Sequence, residues 1–223
     1  MPANAAQSEP AATTVTSVTT STATPAFDEV KLRELLDKFD VPAAEQDSLI
    51  EVARDGDVWD VLIPGSIPVT TGEETEIDGF DDTISRFADG SVAASGVEIP
   101  HIADPNARGI NSCSYTTGTG YLSATGCQID GVWGTVVLGA TAVNYTRNNG
   151  AAFDQITRNG SPFQRCLWPT TCSSPTLVAS KAFENAAGPA HVRWQGDVSS
   201  SAGSWNAWVR LNVGGDSATT VTS

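Results

Sequence analysis

The sequence predicts a mainly β fold, a disulfide-stapled antiparallel β-sandwich preceded by a small α+β region. Three observations carry this. From Cys113 onward, strand-like segments alternate with turn residues, giving roughly seven strands in about 110 residues, a sandwich or barrel pattern. All four cysteines fall in that half, as 113/127 and 166/172, and nearest-neighbour pairing closes two local loops. Residues 27–56, by contrast, place apolar side chains at helical spacing.

Charge divides the chain at the same place. Residues 1–104 hold 21 Asp/Glu against 5 Lys/Arg, whereas residues 105–223 hold 5 against 7. The leading part is therefore strongly acidic and the second part nearly neutral, the mark of two separately built parts. A formal net charge of −14 argues against a nucleic-acid partner, because phosphate binding needs a basic surface. Paired cysteines imply an oxidising compartment and hence export. Residues 1–26 lack the apolar core of a signal peptide, so export requires that residue 1 follow a removed leader. No apolar run reaches transmembrane length, and membrane insertion is not expected.

In chain order, residues 1–26 are an Ala/Thr/Ser/Pro-rich stalk with too little apolar surface to offset ordering entropy. Its TTVTSVTTST stretch has the β-propensity to add to an exposed sheet edge. Residues 27–56 read as a helical hairpin, with Phe27, Val30, Leu35, Leu36 and Phe39 on one side and Asp40-Val41-Pro42 restarting the helix. Its apolar face should dock on Trp59, Val61, Leu62 and Ile63, or on the second part. Pro64 to Pro100 reads as a three-stranded meander turned at Asp78-Gly79 and Asp89-Gly90. Its middle strand shows no clean inward face. The acidic leading region thus spans 27–100, with a linker at 101–112.

The sandwich is expected over 113–216, with a tail at 217–223. Cys113 to Arg147 holds the longest apolar run, Val132 to Val143, interrupted by Gly134 and Gly139, and reads as strand because Thr, Val and Gly all disfavour helix. A Cys113–Cys127 bridge would pin the first strand to the second and contribute about 3 kcal/mol through the unfolded state. Asn148-Asn149-Gly150 and Asn159-Gly160 are turn signals, and SPFQRCLWPTTC carries the Cys166–Cys172 loop. In the last strand Trp205, Ala207, Val209, Leu211 and Val213 share a face, which should be core, while Asn206, Trp208, Arg210 and Asn212 point the other way.

Trp59-Asp60, Asp78-Gly79, Phe87 to Ser91, Val97-Glu98 and the closing Leu211 to Asp216 give the chain a resemblance to uncharacterised exported two-part proteins of high-GC Gram-positive bacteria. The resemblance spans most of residues 27–216 and rests on turn chemistry. It implies export and a two-part layout, and it assigns no catalytic or binding residue.

Catalytic groups are sparse. The only bases of the serine-hydrolase kind are His101, beside Asp104 in the linker, and His191, beside Arg193; no Gly-x-Ser-x-Gly elbow accompanies them. The four cysteines are committed to bridges. The second part offers five carboxylates, Asp130, Asp154, Glu184, Asp197 and Asp216, and spacing pairs none of them as a glycosidase requires. No phosphate-binding loop occurs, and neither a cofactor nor a metal site is expected. Aromatics are the remaining lead. Trp168 sits in the small disulfide loop and Trp208 lies opposite the core face near Arg210, positions suited to ring stacking on a sugar. The expectation is a secreted, non-enzymatic binding or surface-interaction protein for a glycan or cell-wall polymer, using Trp168, Trp208 and Arg210. Two other classes fit less well: an assembly protein that adds its N-terminal segment to a neighbouring sheet, and a hydrolase with an acidic pro-segment.

Overall fold

A computed structural model describes residues 25–102, 113–149 and 153–223. The stalk over 1–26, save its last two residues, most of the 101–112 linker and Gly150 of the Asn148–Gly150 turn lie outside the described residues.

The helical hairpin forms where the spacing puts it. Helix α1 (Glu29–Lys38) starts where Asp28 accepts the Lys31 amide at 3.2 Å, and α2 (Ala43–Arg54) follows Pro42. Asp40 does not cap α2. It sits at φ 51° in the connecting loop, and Gln46 fastens that loop by donating to Asp37 and to the Val41 carbonyl. Leu32, Leu36, Leu49 and Ile50 bury the shared face. A 3₁₀ turn, Asp60–Leu62, then sets Trp59 against α2, its indole N–H donating to the Leu49 carbonyl at 2.7 Å.

Strands β1 (Thr70–Ile77), β2 (Phe80–Arg86) and β3 (Val92–Glu98) form the meander. Asp78 and Gly79 turn the first hairpin at φ 52° and 80°, as an Asp-Gly turn demands. The meander does not stand apart from the sandwich. β3 pairs with β6 (Tyr121–Trp133), so β1–β3 join β4 (His101–Ile102), β5 (Ser114–Gly118), β6, β7 (Val136–Asn148) and β8 (Gln155–Cys166) in one eight-stranded sheet. A second, five-stranded sheet comprises β9 (Thr171–Cys172), β10 (Thr176–Lys181), β11 (Ala190–Ser200), β12 (Gly203–Gly214) and β13 (Ser217–Thr222). Its order is β10-β11-β12-β13, with β9 sharing an edge of β11. Ile129, Leu138, Ala140 and Val143 of the first sheet and Val192, Trp194, Val209 and Leu211 of the second fill the core between them, all 0% exposed.

The helices form a third layer on the far side of the first sheet. Ser95 of β3 meets Thr220 of β13 through their hydroxyls at 3.0 Å, so its neighbours Ala94 and Gly96 face away from the second sheet. Asp82 and Ile84, their partners on β2, face the helices and are 2% exposed, while Arg86 donates to the Phe39 carbonyl at 3.1 Å. The middle strand therefore has a buried face, masked in the sequence by an acid at a core position.

Three other local expectations change. The apolar run 132–143 is two strands, split at Gly134 (φ 51°), where any Cβ would press within 2.7 Å of the Trp59 ring. Asn159-Gly160 is not a turn but lies inside β8; Gly160 is needed there because a side chain would strike the Thr141 carbonyl of β7. The expected tail is strand β13. Gly215 and Asp216 at φ 60° and 61° turn the chain back, and Ala-Thr-Thr-Val suits an edge position.

Both bridges, Cys113–Cys127 and Cys166–Cys172, are formed, which fits an oxidising environment. No helix among the described residues is long and apolar enough to cross a membrane. The first bridge lies where β6 exchanges neighbours, β5 up to Thr125 and β3 from Ile129. The gap is filled by Glu98, 5% exposed, whose carboxylate accepts the amides of Gln128 (2.8 Å) and Cys113 (3.4 Å). Glu98→Ala strands both donors in the interior and should lower unfolding stability by about 2 kcal/mol in urea titrations, since hydrogen bonds to a charged group contribute ~1.5–3 kcal/mol; an unchanged midpoint would count against the bridging role.

Candidate functional site

The fold brings two pairs of carboxylates together. Asp154 and Glu184, which nothing in their spacing pairs, meet at one end of the sandwich. Asp154 accepts the amides of Asn148 (2.6 Å) and Asp216 (3.1 Å), and Glu184 those of Gly215 (3.1 Å) and Asp154 (3.3 Å). The Glu184 amide donates back to the Asp154 carbonyl at 2.9 Å. Both acids are engaged in tying the β12–β13 turn to the loop after β7, which is a structural task.

The second pair is Asp82 and Asp130. They flank Gly96 in register across β2, β3 and β6, and a Cβ at Gly96 would collide with the Asp82 carboxylate. The helix layer covers both, leaving them 2% and 5% exposed, and Oδ2 of Asp82 has no hydrogen-bond partner. Burial, followed by the nearby Asp130 charge, pushes the Asp82 carboxyl up to about 6, against the attraction of Lys38. Burial likewise raises Asp130, again opposed by Lys38. The two acids are a like-charge pair on either side of Gly96, and both are closed to solvent.

Asp104, the acid read beside His101, lies outside the described residues. His101 sits in β4 beside β5, and His191 stands on β11 opposite Asn212. Among the described residues, no group of three or more His, Cys, Asp or Glu could hold a metal ion.

Trp59 and Trp194 are buried in the core, and the other four tryptophans separate into three settings. Trp168 is half-buried at the seam between the Cys166–Cys172 loop and the helices, its indole N–H donating to the Ala53 carbonyl of α2 at 2.7 Å. It latches the helical layer to the sandwich. Trp133 and Trp205 meet edge to face, ring centres 5.7 Å apart. Trp205 is at the rim of the core, and with Phe87 and residues 61–66 the two rings line an apolar cleft of about 350 Å³.

Trp208 is placed differently. Its strand neighbours Ala207 and Val209 are 0% exposed in the core, so Trp208 stands on the outer face of the second sheet. The leading region does not cover this face, because the helices lie beyond the other sheet. The ring is not bare, however. The Arg193 guanidinium from β11 lies 4.5 Å above it and donates to Gln195 at 3.1 Å. Arg210 is directly opposite Arg193 in the β11–β12 register. Polar clefts flank this centre. One, of about 340 Å³, is lined by Arg210, Asn212, Ser217, Thr219 and Glu184; the other, of about 380 Å³, by Asp197, Ser199, Ser204 and Asn206. Period-two alternation placed Trp208 and Arg210 outward together. Arg193 and Gln195 were missed because they become their neighbours only through strand pairing.

Compared with known proteins, the chain matches no family model and no curated sequence. Among solved structures it is similar to a hypothetical protein from Listeria monocytogenes EGD-e, at TM-score 0.35 and 15% identity, over 65% of this chain and 94% of that one.

The buried pair makes stability depend on pH. Because the folded chain holds the Asp82 proton more tightly than the unfolded chain, this group's contribution is full below about pH 4, falls as pH climbs towards 6 and is flat above. Asp82→Asn should therefore unfold at a higher temperature than wild type at pH 7 and at the same temperature near pH 4. An offset that is equal at both pH values would overturn the account.

Proposed function

We propose that this is a secreted, non-enzymatic binding module whose ligand, a glycan or cell-wall polymer, lies along the outer face of the second sheet. The observation that carries this reading is the row formed by Arg193 on Trp208 with Arg210 beside it, on a rigid two-strand platform between two polar clefts. An extended polar chain fits such a row. Indole and guanidinium planes supply contact area at little entropic cost, and Gln195, Asn206 and Asn212 supply amide donors and acceptors for hydroxyl groups. The two disulfides support export, since they persist in oxidising surroundings. A binding role also suits the commitment of Asp154 and Glu184 to backbone amides and the sealing of Asp82 and Asp130. Trp168 does not belong to the row, because its N–H is spent on Ala53.

Retention on a panel of immobilised bacterial cell-wall and plant polysaccharides tests the reading. Trp208→Ala removes the support of Arg193 and should weaken retention about 30-fold, the effect of losing a central contact of about 2 kcal/mol. Wild-type protein that passes through every polymer, or a variant retained as well as wild type, would exclude this face as the site.

A further inference from the structure

Arg193 and Arg210 face one another on adjacent strands, as Cα partners in the β11–β12 ladder and on the same outer face. Like charges directly opposite each other destabilise a sheet. Among the described residues no carboxylate forms an ion pair with either of them, and the five ion pairs there all lie between Asp28 and Arg86. Arg193 is held in place by the Trp208 ring and Gln195, so its fork is oriented before any ligand arrives. The Arg210 side chain makes no hydrogen bond with the described residues, and its Nε is buried without a partner, as is that of Arg193.

The two acids of this face keep their charge but are turned to other partners and ion-pair with neither arginine. Glu184, in the cleft beside Arg210, has both carboxylate oxygens on backbone amides. Asp197, at the far end of the face, accepts from Asn206. Lys181, opposite His191, donates to Asn185 and to the Gly188 carbonyl and adds a third cation to the same face. Ser217 and Thr219 bring hydroxyl groups to the Arg210 cleft. Two planar guanidiniums, one pre-oriented, above a hydroxyl-lined cleft match a carboxylate or phosphate, which arginine binds through two parallel N–H groups.

We propose that Arg193 and Arg210 form an anion clamp, so that the polymer taken by this face is an acidic one, bearing carboxylate or phosphate groups. This rests on the reading of the outer face as the ligand site and narrows it to a substrate class. The half of the chain that carries this face is not acidic, since residues 105–223 hold 7 Lys/Arg against 5 Asp/Glu.

The full chain should be tested in affinity electrophoresis against polygalacturonate, its fully methyl-esterified form and poly(glycerol phosphate). Retardation by polygalacturonate or by poly(glycerol phosphate) is expected, weakening as salt is raised, with the ester at least tenfold poorer. Which acidic polymer retards identifies carboxylate or phosphate as the bound group. Arg193→Gln with Arg210→Gln should lose at least tenfold on the acidic polymer and, without ligand, unfold at the same or a higher temperature because the repulsion is gone. Retardation by the ester equal to that by the acid would overturn the clamp and leave the glycan reading standing. Retardation by none of the three would overturn the clamp, and the polysaccharide panel then decides the wider reading separately. A double variant that unfolds at a lower temperature would show the arginines to be structural and overturn the clamp as well.

Discussion

Strand β6 is the constraint on which the rest of the structure depends. Along one edge it pairs with β7 over nearly its full length; along the other it is shared, first by β5 and then by β3. A strand that changes neighbour must cover the amides exposed at the change, because buried donors without acceptors are costly. Three devices meet there. Cys127 is bridged to Cys113, Glu98 accepts the amides on either side, and the Gly126 amide donates to Asn144 of β7 at 2.9 Å. Through this junction the acidic meander is welded into the first sheet of the sandwich. The helices that rest on the meander are thereby fixed to the far side.

That fixing decides which surface remains open. The helical layer closes on the first sheet through Trp59 at Gly134, Arg86 at Phe39 and Trp168 at Ala53. It seals Asp82 and Asp130 as it does so. Among the described residues the second sheet has no such layer, and its outer face presents side chains from β10 to β13 on a paired backbone. Rigid strands hold Trp208, Arg193 and Arg210 at fixed spacing, which a loop could not do as well.

Much of this was legible in the residues, and the exceptions have physical causes. The helical hairpin follows from spacing and Asp28, the disulfides from cysteine proximity, and the outward face of β12 from period-two alternation. Alternation failed on β2 because Asp82 occupies a core position opposite Gly96. A buried acid there reads as a solvated one until its neighbours are known. Asn159-Gly160 carries turn chemistry, yet its glycine serves close approach to Thr141; a positive-φ glycine satisfies either demand. Two-part organisation was inferred from a charge shift, and charge says nothing of backbone pairing, so the welding of β3 to β6 could not be read. The Arg193–Trp208 stack was hidden for the same reason: its members are 15 positions apart and meet only through the Gln195–Trp208 and Arg193–Arg210 register.

The distribution of cations gives the two faces opposite characters. In the leading region every cation is engaged. Lys31, Arg33, Arg54 and Arg86 are ion-paired, and Lys38 lies 5.4 Å above the rings of Phe39 and Phe80, where it also tempers the buried acids. On the outer face of the second sheet Arg193 and Arg210 form no ion pair with a described carboxylate, although acids outnumber bases by 26 to 12 in the chain as a whole. None of the described cations of residues 113–223 is ion-paired, and Arg193 and Arg210 stand out among them by facing one another across the β11–β12 ladder. Placing a single Asp or Glu at Gln195 or Asn212 would have relieved that opposition. That arrangement leaves two guanidinium forks on a face that the helices do not cover, which is what an incoming anion requires.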